Sequence, residues 1–284
     1  MRAWRNALLP ALRRTFLRTF LCTVMRTVLP TLLPTLVLLG LLAAWELTVR
    51  LAHIPAYTLP APSLVASTLV ANFGSLAGSW WVTVKITAGA LALACAGGAL
   101  IAGVFALAPT LERALLPVAV VLQVTPIVAV APLLLIYVQS TTAALLLCAW
   151  IVAFFPILSN TVIGLRAIDP NLRDLFVLYR ATPWQRLALL RTPTALPYFV
   201  AGLKISGGLS LIGAVTAEMV AGAAGRDTGL ASRILEASFR TETPKMFAAL
   251  TLLVATGVMI FWLFNAVSRW LLGPGYASES SRPP

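Results

Sequence analysis

The chain has 284 residues, 60% of them hydrophobic and 11% charged, with a formal net charge of +12. Soluble domains run at about 45–50% apolar and about 25% charged, so this composition excludes an ordinary soluble fold and fits a chain covered by a bilayer. The positive balance does not mark a nucleic-acid face, because the basic residues carry no interleaved aromatics and fall between long apolar runs, where membrane topology places them.

In chain order, the first 27 residues carry Arg2, Arg5, Arg13, Arg14, Arg18 and Arg26 and no acid. A cleaved signal has a short basic start and a small-residue cleavage site. Here arginines recur up to the first apolar run, so 1–27 is expected to be a retained cytoplasmic tail, with an amphipathic surface helix as one form.

A span needs about 20 apolar residues to cross the hydrocarbon core. Six runs qualify, near 28–47, 82–107, 115–138, 141–164, 197–220 and 246–268. The first ends at the interface with Trp45 and Glu46. The second, with Gly89, Gly97, Gly98 and Gly103, is predicted to pack closely on a neighbour. Pro117, Pro126 and Pro132 interrupt the third, which can flex or expose carbonyls to a cavity. The predicted fold class is all-α, a polytopic membrane protein with six transmembrane helices. Its segments are a basic tail (1–27), a first span with an outer interfacial stretch (28–81), a five-helix core (82–268) and a cytoplasmic tail (269–284). Within 48–81, the stretch Leu64 to Leu76 predicts a short helix resting at the outer interface.

The positive-inside rule fixes the orientation. With the N-terminus inside, the inner segments hold fourteen basic residues against six outside (Arg50, Lys85, Arg226, Arg233, Arg240 and Lys245), while Lys204 lies within a span. N-in, C-in is predicted, with Arg113, Arg269 and Arg282 inside. Cys22, Cys95 and Cys148 match no metal spacing and read as small hydrophobes. The single histidine, His53, reads as a loop residue.

The inner segment 165–196 is the most informative. Asp169-Pro170, Thr182-Pro183 and Thr192-Pro193 each pair an N-cap residue with proline at the first helical position. Two short helices are predicted, about 170–180 and 183–191, followed by entry to the fifth span. Thr243-Pro244 marks the start of the sixth by the same logic. Leu175, Phe176, Leu178, Tyr179, Trp184 and Leu187 lie among arginines here, a surface suited to docking another protein or to packing beneath its own bundle.

Residues 174–197, DLFVLYRATPWQRLALLRTPTALP, resemble the cytoplasmic loop motif of binding-protein-dependent importer permeases: EAA, three residues, G, nine residues, I-x-L-P. Asp174 takes the Glu position, Leu175 and Phe176 the Ala positions, and Arg180 the Gly position. Leu190, Thr192 and Pro193 take the Ile, Leu and Pro positions. Thr125–Val138, Phe154–Leu172, Trp45–Ser63, Ala195–Ser206 and the Glu218, Gly222, Gly229-Leu230 set extend the resemblance over about 45–268. They are similar to the branch that handles sulfonates, taurine, nitrate and pyrimidine-type precursors. The pattern Y-R-A-T-x-W-Q and Thr243–Leu250 resemble its riboflavin and hydroxymethylpyrimidine subset.

That resemblance implies a bacterial inner-membrane ABC importer permease whose coupling helices dock on a separate ATPase subunit through Asp174, Leu175, Phe176, Arg180, Ala181, Trp184 and Pro193. It also implies an extracytoplasmic solute-binding protein, a permease homodimer, and ATP and Mg²⁺ used only by the partner. The chain itself contains no G-x-x-x-x-G-K-[ST] loop to hold phosphates. It also has no catalytic or metal-ligating constellation, so neither enzyme activity nor a bound cofactor is expected. Gln123, Thr125, Ser159, Asn160, Lys204, Ser206 and Ser210 are polar groups inside spans and candidates for a substrate pathway. The same hydroxyls can bond back to their own helix or join helices. Lys204 can line the pathway or snorkel. Glu218 is placed at the outer end of the fifth span, as a gate, a docking group or an interfacial residue. A secondary transporter or channel without an ATPase is the alternative. Paired intramembrane acids or inverted repeats would mark it, and no aspartate falls in any span. A membrane-embedded enzyme or a structural scaffold is less well matched.

Overall fold

The computed structural model describes residues 29–222 and 229–279. The basic tail 1–27 with Cys22, and also Arg226 and Arg282, lie outside the described residues. Every regular element among the described residues is a helix. Two compact units are distinguished, up to Ser67 and from Thr68 onward.

In the first unit, α1 (Leu29–Leu51) is the first predicted span. Leu36, Leu39 and Leu41 on it are exposed, as expected of a face that lipid covers. Glu46 near its end accepts from Arg50 Nε at 2.6 Å, from Ser63 N–H at 3.0 Å and from Ser63 Oγ at 2.7 Å. A carboxylate thereby satisfies an orphan amide in the first turn of the next helix.

That next helix, α2 (Pro62–Leu107), is continuous over 46 residues. The separate interfacial helix expected at Leu64 to Leu76 is therefore not a separate element. Between Pro62 and Pro109 the sequence has no proline, and the glycines there cost only about 1 kcal/mol each, so nothing stops a helix once started. At ~1.5 Å per residue it runs about 69 Å, over twice the hydrocarbon thickness.

The third run folds as two helices, α3 (Pro109–Val124) and α4 (Ile127–Tyr137), bent by 97°. Pro126 forces the break. It lacks an N–H and drives Thr125 out of the helical region, to φ −63°, ψ 122°. Then follow α5 (Thr141–Arg166), α6 (Pro170–Leu178) and α7 (Pro183–Arg186), which a π-turn over Leu187–Arg191 joins to α8 (Thr192–Ala221). α8 begins at Thr192-Pro193, but contrary to expectation Thr192 is not an N-cap, because Arg191 and Thr192 are both already helical. Proline at 193 would clash with a carbonyl one turn back, and widening that turn relieves the clash. Thr192 N–H and its Oγ1 both reach the Leu187 carbonyl, five residues back. Two helices complete the chain, α9 (Leu230–Phe239) and α10 (Thr243–Glu279), the latter broken at Gly273, φ 66°. Among the described residues, five helices are long and apolar enough to cross a membrane, or six spans if the bent pair counts as one.

The centre of the second unit is the α5–α8 pair, the most extensive helix contact among the described residues. A Cβ on Gly202 would lie 2.8 Å from the Pro156 carbonyl oxygen, and one on Gly213 2.8 Å from Ala149 Cα. Small residues let the backbones touch, which is how helices associate where no water drives them together. Ser206 Oγ donates to the Ala153 carbonyl across this contact at 2.6 Å. Toward one end of the pair, Ala94, Phe105, Phe154, Ile157, Leu158 and Leu203 form an apolar core with Phe264 of α10. Toward the other, Ile86, Ala131, Leu145, Ala149 and Ala214 form a second core. Gly97 and Gly98 face Phe154 and Ile157, so α2 does pack closely, on α5, while Gly103 faces open space.

Candidate functional site

The α5–α8 connection is built from caps. Asp169 accepts from Asn171 N–H at 2.7 Å and starts α6. Thr182 and Gln185 form a reciprocal capping box that starts α7, at 3.3 and 2.8 Å. Between them the chain turns on Arg180, whose φ of 50° is left-handed. Arg180 N–H donates to the Val177 carbonyl at 2.9 Å and Ala181 N–H to the Phe176 carbonyl at 3.0 Å. This pair of bonds is a Schellman closure, which favours glycine at the left-handed position. The predicted motif carries Gly where this chain carries Arg180, and the backbone gives the reason for the motif.

No residue of α6 is buried. Leu178, Tyr179 and Trp184 are 78%, 77% and 69% exposed, and Leu175 and Val177 are also exposed. Asp174 and Arg180 are exposed beside them, Phe176 and Ala181 are half-buried, and Pro193 lies farther along on α8. Six of the seven predicted docking residues thus share one protruding hairpin, and Pro193 lines a cleft instead.

The hairpin is tied down at both ends. Arg166, the last residue of α5, pairs with Glu112 in the first turn of α3, a carboxylate only 4% exposed. Arg191, the last residue of the π-turn, donates from Nη1 to the Ala106 carbonyl at the end of α2, at 2.6 Å. Arg173 joins Glu112, Arg166 and Arg191 around a cleft of about 260 Å³. Glu112 was not singled out by sequence. The available signal was that the chain has only nine acids, and this one begins an apolar run.

The polar groups predicted within spans separate into two sets. Gln123, Thr125 and Lys204 are exposed. Thr125 Oγ1 donates to its own helix at Val121 O, 2.7 Å. Lys204 faces a cleft of about 1170 Å³ between α8 and α10, also lined by Tyr198, Asn265, Ser268 and Arg269. Asn160, Ser206 and Ser210 bond internally. Asn160 Nδ2 donates to Pro156 O at 2.8 Å and Ser210 Oγ to Gly207 O at 2.9 Å.

Glu218 is fully buried. One carboxylate oxygen accepts from Thr83 Oγ1 of α2 at 2.8 Å, the other from Ala231 N–H of α9 at 3.0 Å. Thr83 Oγ1 in turn accepts from Leu230 N–H at 2.9 Å, and Ser232 Oγ donates to the Glu218 carbonyl at 3.1 Å. The carboxylate therefore caps α9 from within the bundle, at the end where a helix favours negative charge. A Cβ on Gly229 would collide with that carboxylate, so the close approach requires glycine. Arg233 Nε extends the cluster to Ser79 Oγ at 3.0 Å, and its guanidinium pairs with Glu236 at 2.9 Å. The hydrogen bond from Arg233, with Arg240 and Lys245 nearby, holds the Glu236 carboxyl below the usual glutamate range. Among the described residues no group of acids, histidines and cysteines could hold a metal ion.

Residues 94–273 match the family described as "Binding-protein-dependent transport system inner membrane component". The chain is 32% identical to a riboflavin transport system permease protein of Chloroflexus aurantiacus, over 83% of this chain and 87% of that one. It is 29% identical to a formylaminopyrimidine transport permease protein of Halalkalibacterium halodurans, over 82% and 91%. It is also 26% identical to a putative aliphatic sulfonates transport permease protein of Bacillus subtilis, over 82% and 83%. The chain belongs to this family: it is a multi-pass inner-membrane permease component of an ABC importer for a small solute.

Proposed function

From that membership, we propose that two copies of this chain form a six-span, N-in/C-in permease that docks a separate ATPase through the α6–α7 hairpin. The bent α3–α4 pair counts as one span. The observation that carries the reading is the exposed strip of Leu175, Leu178, Tyr179 and Trp184 on a hairpin with no buried residue in α6. Aromatic and aliphatic side chains held clear of their own bundle and ringed by Arg173, Arg180 and Arg186 are the composition of an interface core with a polar rim. The positive-inside count supports a cytoplasmic hairpin. ATP and Mg²⁺ bind the partner ATPase. An extracytoplasmic binding protein delivers the solute on the α9 side, and the pair of permeases alternates between inward- and outward-facing states as nucleotide biases them.

The solute class is a heteroaromatic vitamin or pyrimidine-type precursor. What the relatives' names say of riboflavin and formylaminopyrimidine supports this, as does the Y-R-A-T-x-W-Q pattern. The pathway runs between the two copies, past Gln123, Thr125 and Lys204, with Glu218 behind it joining α8 to α2 and α9, and Asn160 and Ser210 bonded within their own helices. Co-purification from native membranes tests the docking. A P-loop ATPase is expected with the tagged chain, and its recovery should fall at least tenfold in a Leu178→Ser, Trp184→Ser variant that still inserts. Undiminished recovery from that variant would refute the docking surface.

A further inference from the structure

We propose that Glu112, Arg166 and Arg191 are positioning residues that clamp the docking hairpin to the α2–α3 junction, so that movement of the hairpin drives the second and third spans directly. This rests on the hairpin being the ATPase-docking element.

The geometry has three parts. The segment from Ala167 to Leu190 holds all of α6 and α7, and its two flanking residues are both arginines that reach elsewhere. Arg166 pairs with Glu112, and Arg191 donates to the Ala106 carbonyl at 2.6 Å. Both targets lie within seven residues of each other, on either side of the α2–α3 turn at Ala108, whose φ of −128° and ψ of 80° lie outside the helical region. The two ends of the hairpin therefore converge on one joint between spans, and α6 itself has no buried residue.

The chemistry suits a clamp. Glu112 is 4% exposed and its pairing residue Arg166 is largely exposed, so the carboxylate has little water to fall back on if the arginine leaves. Arg191 occupies an orphan carbonyl at the end of α2, which no intrahelical donor can reach. A push on Leu178 or Trp184 enters α5 and α8 along the chain, and through Arg166 and Arg191 it also reaches the α2–α3 turn and, through α3, the 97° bend at Thr125–Pro126. Such a connection lets nucleotide bound at one end bias the other.

The test uses the whole complex, purified with its ATPase and reconstituted in nanodiscs, with ATP and vanadate as the probe. A Met219→Cys reporter at the far end of α8, which is exposed, is labelled by a water-soluble maleimide in a background lacking Cys22, Cys95 and Cys148. Glu112→Gln and Arg191→Met should leave ATPase stoichiometry unchanged while reducing the nucleotide-dependent change in labelling rate at least fivefold. The reversed pair Glu112→Arg, Arg166→Glu should restore it to within about twofold, which loss of folding or of general packing would not do. Single variants that keep the full nucleotide response with ATPase bound overturn the clamp alone. So does a reversed pair that stays unresponsive while Arg191→Met responds normally. A parent complex whose labelling ignores nucleotide overturns the docking reading and the clamp together.

Discussion

Arg180 offers a prediction that depends on backbone alone. Its φ of 50° puts a side-chain-bearing residue in the left-handed region, where an L-residue is disfavoured by about 1–2 kcal/mol. Replacing it by glycine removes that cost but adds about 0.5–1 kcal/mol of unfolded-state entropy, leaving a net gain of about 0.5–1 kcal/mol in hairpin stability. The two Schellman bonds, from Arg180 and Ala181 N–H at 2.9 and 3.0 Å, stay in place. Amide exchange at residues 179–181 reads the local opening equilibrium, so Arg180→Gly should slow it by about two- to fivefold. Arg180→Ala keeps the strain and loses only the guanidinium, and should leave exchange within about twofold. Equal slowing by Ala and Gly would place the effect in the side chain and refute the backbone account. Faster exchange in the Gly variant would refute it more directly.

Four further outcomes follow from the packing. Glu218→Ala should cost about 3 kcal/mol, because Thr83 Oγ1 and Ala231 N–H lose a buried acceptor; thermal denaturation in detergent measures it, and a loss under about 0.5 kcal/mol would mean the cluster is hydrated. Gly229→Ala should be comparably destabilising through its collision with Glu218, and combining it with Glu218→Ala should cost less than the sum of the two; strict additivity would contradict the contact. Ser206→Ala should lose about 0.6 kcal/mol and Ser206→Leu several times more, since the leucine has no room against the α5 backbone; equal effects in the same melts would show that α5 and α8 are not in close contact there. Glu236 has a lowered folded value, so its pairing with Arg233 and Arg240 is fully present above the ordinary glutamate range and is lost as pH falls through that lowered value. Exchange protection of α9, corrected for intrinsic rates, should be level above the ordinary glutamate range, decline as pH falls below it, and lose that decline in Glu236→Gln. A decline beginning near neutrality would assign it to another group.

The spans were legible because a bilayer demands a simple thing of a sequence, about 20 apolar residues in a row. The hairpin was legible because N-cap residues followed by proline start helices at Asp169 and Thr182 for local reasons. Thr192-Pro193 carries the same signature, but Thr192 does not cap a new helix there. The helix arriving from Pro183 was already formed, and one widened turn costs less than a full break. The merger of the outer stretch with α2 was hidden by an opposite bias, since the composition of Leu64 to Leu76 looks interfacial while helix continuation depends only on the absence of a breaker. Which polar residue faces inward was not legible at all. Helices that are apolar all round carry no amphipathic signal, so Gln123 and Ser210 look alike in sequence, yet one is exposed and the other fully buried.

That last difference bears on where a solute can pass. A pathway through a single bundle would need polar side chains aimed into an internal channel. Instead the buried polar groups of the core spend their hydrogen bonds on their neighbours: Ser206 on Ala153, Ser210 on Gly207, and Glu218 on Thr83 and Ala231. The polar groups left available, Gln123 and Lys204, are on exposed faces. The close α5–α8 contact leaves no room between those helices, because even a methyl on Gly202 or Gly213 meets backbone. A route lined by exposed groups of one chain must be completed by another surface, which in the proposed homodimer is a second copy. On that proposed reading Lys204 and Arg269 line the route from one chain, and Lys204→Met is expected to alter transport while leaving thermal stability and ATPase recovery unchanged. Loss of stability in that variant, with transport per folded complex unaltered, would instead make Lys204 a snorkelling anchor and move the route elsewhere.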